Sequence, residues 1–315
     1  MSDAMKLSID EVLNEAIMSS TPTIIVEGID DLKTYISLAK DALDDFEVYA
    51  VETIDGYSGG CDQVVNAIRD LYQLNDAIHP IENFVLGIID RDVREFRNEL
   101  PTEAAIFALN PYSIESHFVC KEVFEAALFQ YTRVHPDKLG PVFVQNLFTD
   151  IEQQLLDLYY FSLEALKGAV DSGYGADFKY SYSAGRRKQE PTRSDVLAKA
   201  AQLDQIAVQF QLQPNLESLK KVAHGKWLLT AFCEIVHSVL SNLSTHCGKY
   251  GSEQCDFCRV SILGKCTYRI KEGVSNKTLY SVASENTQLA SLDYIRQRMS
   301  SISLQTLESA PALEV

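Results

Sequence analysis

The chain has 315 residues, 46% hydrophobic and 23% charged, with 28 Lys or Arg against 44 Asp or Glu for a net charge of −16. Those fractions are globular averages and exclude wholesale disorder, and the length suits one large domain or two ordinary ones. The acidic balance excludes a protein that grips nucleic acid by overall positive charge; such contact needs a local basic patch, a metal ion or a partner.

Ser8-Ile9-Asp10-Glu11 has the capping-box pattern, and Ile9, Val12, Leu13, Ala16 and Ile17 follow at helical spacing. Past Pro22, the apolar run 23–26 predicts a buried strand. Gly28 turns the chain into a second helix carrying Leu32, Ile36, Ala39 and Leu43. Residues 46–51 predict the next strand, and Gly59-Gly60 lead into a third helix with Val64, Val65, Ile68, Leu71 and Tyr72 on its apolar face. Residues 84–89 form the most apolar strand, and 105–109 predict a fourth. Strands alternating with helices imply an α/β fold whose parallel sheet has helices on both faces.

After Asn110-Pro111 the pattern turns helical through about residue 166, with turns around His135-Pro136 and Gly140-Pro141. Residues 171–195 are polar, rich in glycine and aromatics, and read as a loop or hairpin arm. Helices resume at Ser194 and run again from Leu216 to Leu243, and residues 300–315 lack periodicity. The expected organisation is a catalytic α/β domain at 1–120, a helical extension with a basic arm at 121–240, a zinc-binding part at 241–300 and a flexible tail at 301–315. No apolar run approaches the roughly 18 residues of a membrane span, and the N-terminus lacks the pattern of a secretory signal. The expected compartment is the cytoplasm, where seven cysteines point to thiols or metal ligands.

In a parallel sheet the chemistry collects at the carboxyl ends of the strands. Glu27 ends the first strand, Gly28 allows a tight turn, and Asp31 lies one turn into the next helix. Asp90-Arg91-Asp92 ends the third strand, and strand alternation would put both aspartates on one side. With neighbouring strands about 4.8 Å apart, these four carboxylates would converge on the volume of a hydrated Mg²⁺ pair. Hard oxygen ligands suit Mg²⁺ or Mn²⁺, and two such ions can activate a water and stabilise the leaving oxygen of a phosphodiester. Asp30 suits a helix N-terminus and reads as a cap. A receiver-type phosphoacceptor site also gathers acids at strand ends, but it uses a single acceptor aspartate and no large helical annex.

The layout of Glu27-Gly28 followed by Asp90-Arg91-Asp92 on a βαβαβ scaffold resembles the TOPRIM domain shared by topoisomerases, bacterial primases and OLD-family nucleases. The run Asn110-Pro111-Tyr112-Ser113-Ile114-Glu115-Ser116-His117-Phe118 is similar to a later segment of the bacterial OLD/TOPRIM-like defence nucleases. His224-Gly225-Lys226-Trp227-Leu228-Leu229 is similar to their Gly-Lys-Leu segment. The resemblance covers residues 22–120 well and 220–232 loosely, and is greatest to the nuclease subunits of the PARIS anti-phage systems. It implies a metal-dependent endonuclease acting as a toxin, with Glu27 as the family's glutamate, Asp90 and Asp92 as its DxD pair, and Asp31 as a further metal ligand. It also implies host tRNA as substrate, an ABC-type, AriA-like ATPase subunit that restrains the nuclease, and a possible homodimer on release. The chain has no Walker A loop, so any ATPase must be a separate chain.

Glu115 falls on the first turn of a helix and is a candidate Mg²⁺ ligand. Lys226 follows a glycine, so its ammonium could neutralise a scissile phosphate as a catalytic group. Cys247, Cys255, Cys258 and Cys266 follow C-x₇-C-x₂-C-x₇-C and suit a closed structural Zn²⁺ site, with His246 an alternative to Cys247 and an iron–sulfur cluster a lesser alternative. Cys61, Cys120 and Cys233 are scattered and read as small core residues. Arg186, Arg187, Lys188 and Arg193, preceded by Tyr180 and Tyr182, form one basic–aromatic stretch, and Lys220, Lys221, His224 and Lys226 form a second. Both suit single-stranded or looped RNA. The rival readings are a DNA endonuclease of the OLD type and a non-enzymatic metal-binding adaptor of an ATPase.

Overall fold

A computed structural model describes residues 6–74 and 79–309, with side chains through Ile302. The chain forms two compact units: residues 1–91, 99–110 and 287–315 make the first, and 92–98 with 111–286 make the second. The expected boundary at 120 and the separate zinc-binding part are thus replaced by an interleaved division, in which the chain leaves the first unit twice and returns to it.

The first unit is built on four parallel strands, β1 (Thr23–Val26), β2 (Glu47–Ala50), β3 (Val85–Ile89) and β4 (Ile106–Ala108), in the order β2-β1-β3-β4. β1 and β3 are buried along their whole lengths, as their unbroken apolar runs require in a sheet covered on both faces. Helix α1 (Ile9–Ser19) starts where Glu11 accepts from both the Ser8 amide (2.7 Å) and the Ser8 hydroxyl (2.8 Å). α1 packs with α3 (Cys61–Leu74) around Ile25, Val85 and Ile89. Gly87 permits that close approach, since a Cβ there would lie 2.9 Å from Ile68 Cγ1 and 3.0 Å from Val64 Cγ1.

α2 (Leu32–Ala42) packs instead with the helix Asp293–Ser309. That C-terminal helix is the main departure from the sequence reading. It buries Leu292, Ile295, Met299 and Ile302 and runs through 301–309, where a flexible tail was expected; residues 310–315 of that expected tail lie outside the described residues. Its attachment is polar as well: Arg298 donates to the Ala104 carbonyl (2.8 Å), and Ser300 to that of Ala42 (3.0 Å). From β1 the chain crosses to β2 on one side, and from β3 to β4 on the other. The carboxyl ends of β1 and β3 therefore flank the topological switch point, where an open α/β sheet forms its crevice.

The second unit is helical. Its central helix, Gly225–Asn242, buries Trp227, Leu228, Leu229, Phe232, Val236 and Leu240 against Pro141–Leu155, Asn276–Ser284 and the short turn Ile114–Phe118. The expected arm is no hairpin and does not project. Phe178 is fully buried with its ring 4.9 Å from Trp227 and 5.2 Å from Phe161, and Trp227 Nε1 donates to the Tyr182 carbonyl at 2.8 Å. Apolar anchors among the glycines and tyrosines fold the segment down. No helix among the described residues is long and apolar enough to cross a membrane.

Candidate metal centres

In the first unit Glu27 and Asp90 are the first residues past β1 and β3. The Asp90 amide donates to Glu27 Oε1 at 2.6 Å, which joins the two strand ends through one carboxylate. The Glu27 carbonyl in turn accepts from Gly60 N–H at 2.9 Å. Asp31 closes the short turn Ile29–Asp31; contrary to expectation the turn does not require glycine at 28, since Gly28 is extended (φ −157°) and a Cβ there would make only ordinary contacts, 3.7 Å from Asp31 Oδ2 and 3.8 Å from Glu52 Oε1.

Glu52 is a carboxylate that the sequence reading missed. It follows β2 in the turn Val51–Thr53, and its Oε1 accepts from Ile29 N–H at 2.9 Å. Its position just past a strand end was the available signal.

Tyr35, buried on α2, reports how these acids are arranged. Burial, followed by the negative charges of Asp90, Asp31 and Glu27, pushes its phenol well above the ordinary range and keeps it neutral. Three carboxylates acting on one phenol are gathered at one place. Tyr294, from the C-terminal helix, accepts from Asn110 N–H at 3.0 Å, and burial pushes it up to about 12. Carboxylate oxygens are the donors a hard divalent cation takes, but among the described residues of the first unit no three carboxylates draw their oxygens within 4.8 Å of one another.

Asp92 belongs to the second unit. The alternation expected to align it with Asp90 stops at Ile89, where β3 ends, and Asp92 takes a left-handed conformation (φ 49°), which aspartate tolerates better than most residues. Its amide donates to the Tyr112 carbonyl at 2.9 Å, and Tyr112 N–H donates to the Lys220 carbonyl at 2.8 Å. The two motif segments of this unit meet. Ser113 Oγ donates to Glu115 Oε2 at 2.6 Å, and a Cβ on Gly225 would fall 1.8 Å from Ser113 Oγ and 2.7 Å from Glu115 Oε2. Glycine is therefore required between His224 and Lys226. Burial depresses His224, with Glu115 opposing and Lys226 reinforcing the shift. Lys226 itself is exposed on the first turn of its helix. A ladder of rings runs alongside: Tyr112 lies 5.3 Å from Tyr180 and 5.8 Å from His224, and Trp227 is stacked 5.6 Å from Tyr180.

Three of the four cations of the basic arm are paired with acids of the same unit. Arg187 is buried between Asp157 (3.8 Å) and Glu234 (3.6 Å), Lys188 pairs with Glu234 at 2.9 Å, and Arg193 holds Asp157 at 2.8 Å. Arg186 lies over the Tyr182 ring, 4.6 Å from its centre. The charges of the arm are largely spent on internal acids. Lys220 pairs with Glu217 at 3.6 Å, while Lys221 is exposed.

The four clustered cysteines converge as expected. Their sulfurs all lie within 4.8 Å of one another, and those of Cys255 and Cys266 are 3.9 Å apart. Tetrahedral Zn²⁺ with bonds of about 2.3 Å sets its sulfurs roughly 3.8 Å apart, so the set fits the metal. Cys255 N–H donates to Cys247 Sγ at 3.2 Å. Against the burial that would raise it, hydrogen bonds from the Thr267 and Cys258 backbone hold the Cys255 thiol down to about 6. Cys247 supplies the fourth sulfur; the His246 ring packs edge-on to Phe143 at 6.0 Å and Tyr250 at 5.4 Å. Cys61 and Cys233 are buried in the core as expected, whereas Cys120 is only half-buried at the start of the helix Lys121–Tyr131; burial pushes the thiols of Cys120 and Cys233 up to about 12.

No family model and no curated protein sequence matches this chain.

Proposed function

We propose that this chain is a Mg²⁺- or Mn²⁺-dependent endonuclease of the TOPRIM type, the toxic effector of an anti-phage system similar to AriB of PARIS, cleaving host tRNA once an ABC-type ATPase partner releases it. The observation that carries the reading is the pairing of Glu27 and Asp90, joined by a 2.6 Å hydrogen bond from the Asp90 amide to Glu27 Oε1, at the switch point of a parallel sheet. Carboxylates gathered this way without a cation repel one another. A fold that maintains them gains from a bound divalent ion.

Glu27, Asp31 and Asp90 would hold the metal, with Glu52 beside them; the ligand role of Asp92 rests on its motif alone. A bound divalent ion supplies a water of lowered pKa and charge neutralisation at a phosphodiester. The protein's own contribution is positional. The Asp90 amide donates to Glu27 Oε1 and holds that carboxylate in place, and burial keeps the Tyr35 phenol neutral. The four cysteines would hold a structural Zn²⁺ with no open position, which is scaffold rather than catalyst.

The test is cleavage of tRNA and of plasmid DNA by purified protein with Mn²⁺, with and without the neighbouring ATPase. Cleavage of tRNA alone supports the reading, and cleavage of plasmid alone supports the DNA rival. If neither is cut with partner and trigger present, the chain is an adaptor.

A further inference from the structure

A group of cationic side chains lies beside the cysteine cluster, outside the arm that the sequence picked out. A cleft of about 520 Å³ in the second unit is lined by Arg133, Lys265, Arg269 and Lys271, with Cys266, Ile270 and Glu272. Among the described residues none of these four cations forms an ion pair; Lys271 Nζ donates to the neutral Gln130 carbonyl at 2.6 Å. The stretch 257–271 holds Arg259, Lys265, Arg269 and Lys271 and no Asp or Glu, in a chain of net charge −16.

The cleft is also firmly built. Cys266 is one of the four clustered thiols, and two backbone hydrogen bonds tie its far wall to residues 131–133: Arg133 N–H donates to Thr267 O (2.9 Å), and Lys271 N–H to Tyr131 O (2.8 Å). Phe257, Ile262 and Leu263 stand exposed on the same knuckle. Four unneutralised cations over this volume exceed what one small anion would use. With apolar side chains beside them, they match a nucleic-acid strand, whose phosphates are regularly charged and whose bases have apolar faces.

We propose that this cleft docks the phosphate backbone of a looped or single-stranded segment of RNA, as a binding surface of the second unit that depends on the zinc-bound knuckle. The identity of the polyanion rests on the nuclease reading above; the charge and shape of the cleft do not.

The experiment is fluorescence anisotropy of labelled unfractionated tRNA with the full-length, zinc-loaded chain in Mg²⁺-free buffer, over a range of salt concentrations. Lys265→Glu/Arg269→Glu should weaken binding about tenfold or more, with the salt slope reduced by about 0.7 for each phosphate that is no longer neutralised. Lys188→Gln, on the arm where Lys188 is already paired with Glu234 at 2.9 Å, should bind as the wild type does. Zinc content and unfolding temperature verify that the knuckle is intact, and Lys265→Gln/Arg269→Gln replaces the reversal pair if they change. Wild-type affinity in an intact double variant overturns the proposal, as does a wild type that binds phosphatidylserine vesicles but not tRNA. Cleavage separates the two readings. Docking through the cleft without any cleavage would sink the nuclease reading alone, whereas Glu27-dependent cleavage with full efficiency in the double variant would sink the docking site alone.

Discussion

Gly225 leaves the least room for substitution of any motif residue. Its missing Cβ is the space taken by Ser113 Oγ and Glu115 Oε2, so Gly225→Ala should destabilise the second unit by about 1–3 kcal/mol, the usual cost of overpacking. Urea unfolding measures it, and Ser113→Ala in the same chain should restore part of the loss; strict additivity would show that the contact is not the cause. Nearby, His117 is buried with Nδ1 donating to the Ile114 carbonyl at 3.1 Å, and burial holds its pKa at about 4. An unfolded histidine titrates near ~6.5, so between these values the unfolded chain binds the extra proton. Stability is complete above the upper value and falls as the pH drops toward 4, by roughly a few kcal/mol over the window. His117→Asn should flatten that part of the stability–pH profile; an unchanged slope would contradict the assignment. At this scale Glu27, Asp31, Asp90 and the cysteines were legible because each sits at a strand end, one helical turn on, or in a fixed spacing. Glu52 was missed because a strand that ends in a turn hides its last functional side chain. The neutralised arm was misread because a run of cations in sequence says nothing about the acids that fold against it.

Among the elements, the strands were the most legible. Unbroken apolar runs at 23–26 and 84–89 leave no alternative in a covered parallel sheet, and they became β1 and β3. The C-terminal helix was not recognised, although Leu292, Ile295, Met299 and Ile302 carry helical spacing; the serines and glutamines among them dilute the signal. The knuckle around the four cysteines was legible from spacing alone. Tyr268 anchors it in the core, but Tyr250, Val260, Ile262 and Leu263 are all exposed. A metal held by the four thiols would add to its order, since metal binding is linked to folding. Purified protein should contain about one zinc per chain, and Cys255→Ser/Cys258→Ser should lose it together with several kcal/mol of stability. Elemental analysis and thermal unfolding test both, and a double variant with unchanged metal and melting would remove zinc from the structure.

For the whole molecule, the division into interleaved units was not legible, because hydrophobic periodicity is local and does not record which earlier unit a late helix rejoins. The absence of a Walker A loop concerns the whole chain and was plain from the start. If an ATPase subunit restrains this chain, expression alone should arrest growth and co-expression with the neighbouring ATPase should relieve the arrest. Equal toxicity in both cases, with no co-purifying partner, would end that part of the proposal.

The carboxylate site is the central claim, and Glu27 is where it is most exposed to test. Glu27→Gln keeps an amide oxygen that can accept from the Asp90 N–H and so preserves the join between β1 and β3, while Glu27→Ala and Asp90→Ala remove carboxylates outright. The direct measurement is the rate of tRNA cleavage by wild type and these three variants with Mg²⁺ or Mn²⁺, with folding verified by circular dichroism. All three variants should remain folded and lose cleavage by orders of magnitude, since catalysis depends on metal position, and Ca²⁺ should substitute poorly for Mg²⁺. Wild-type cleavage by folded Glu27→Gln and Glu27→Ala proteins would place the active site elsewhere.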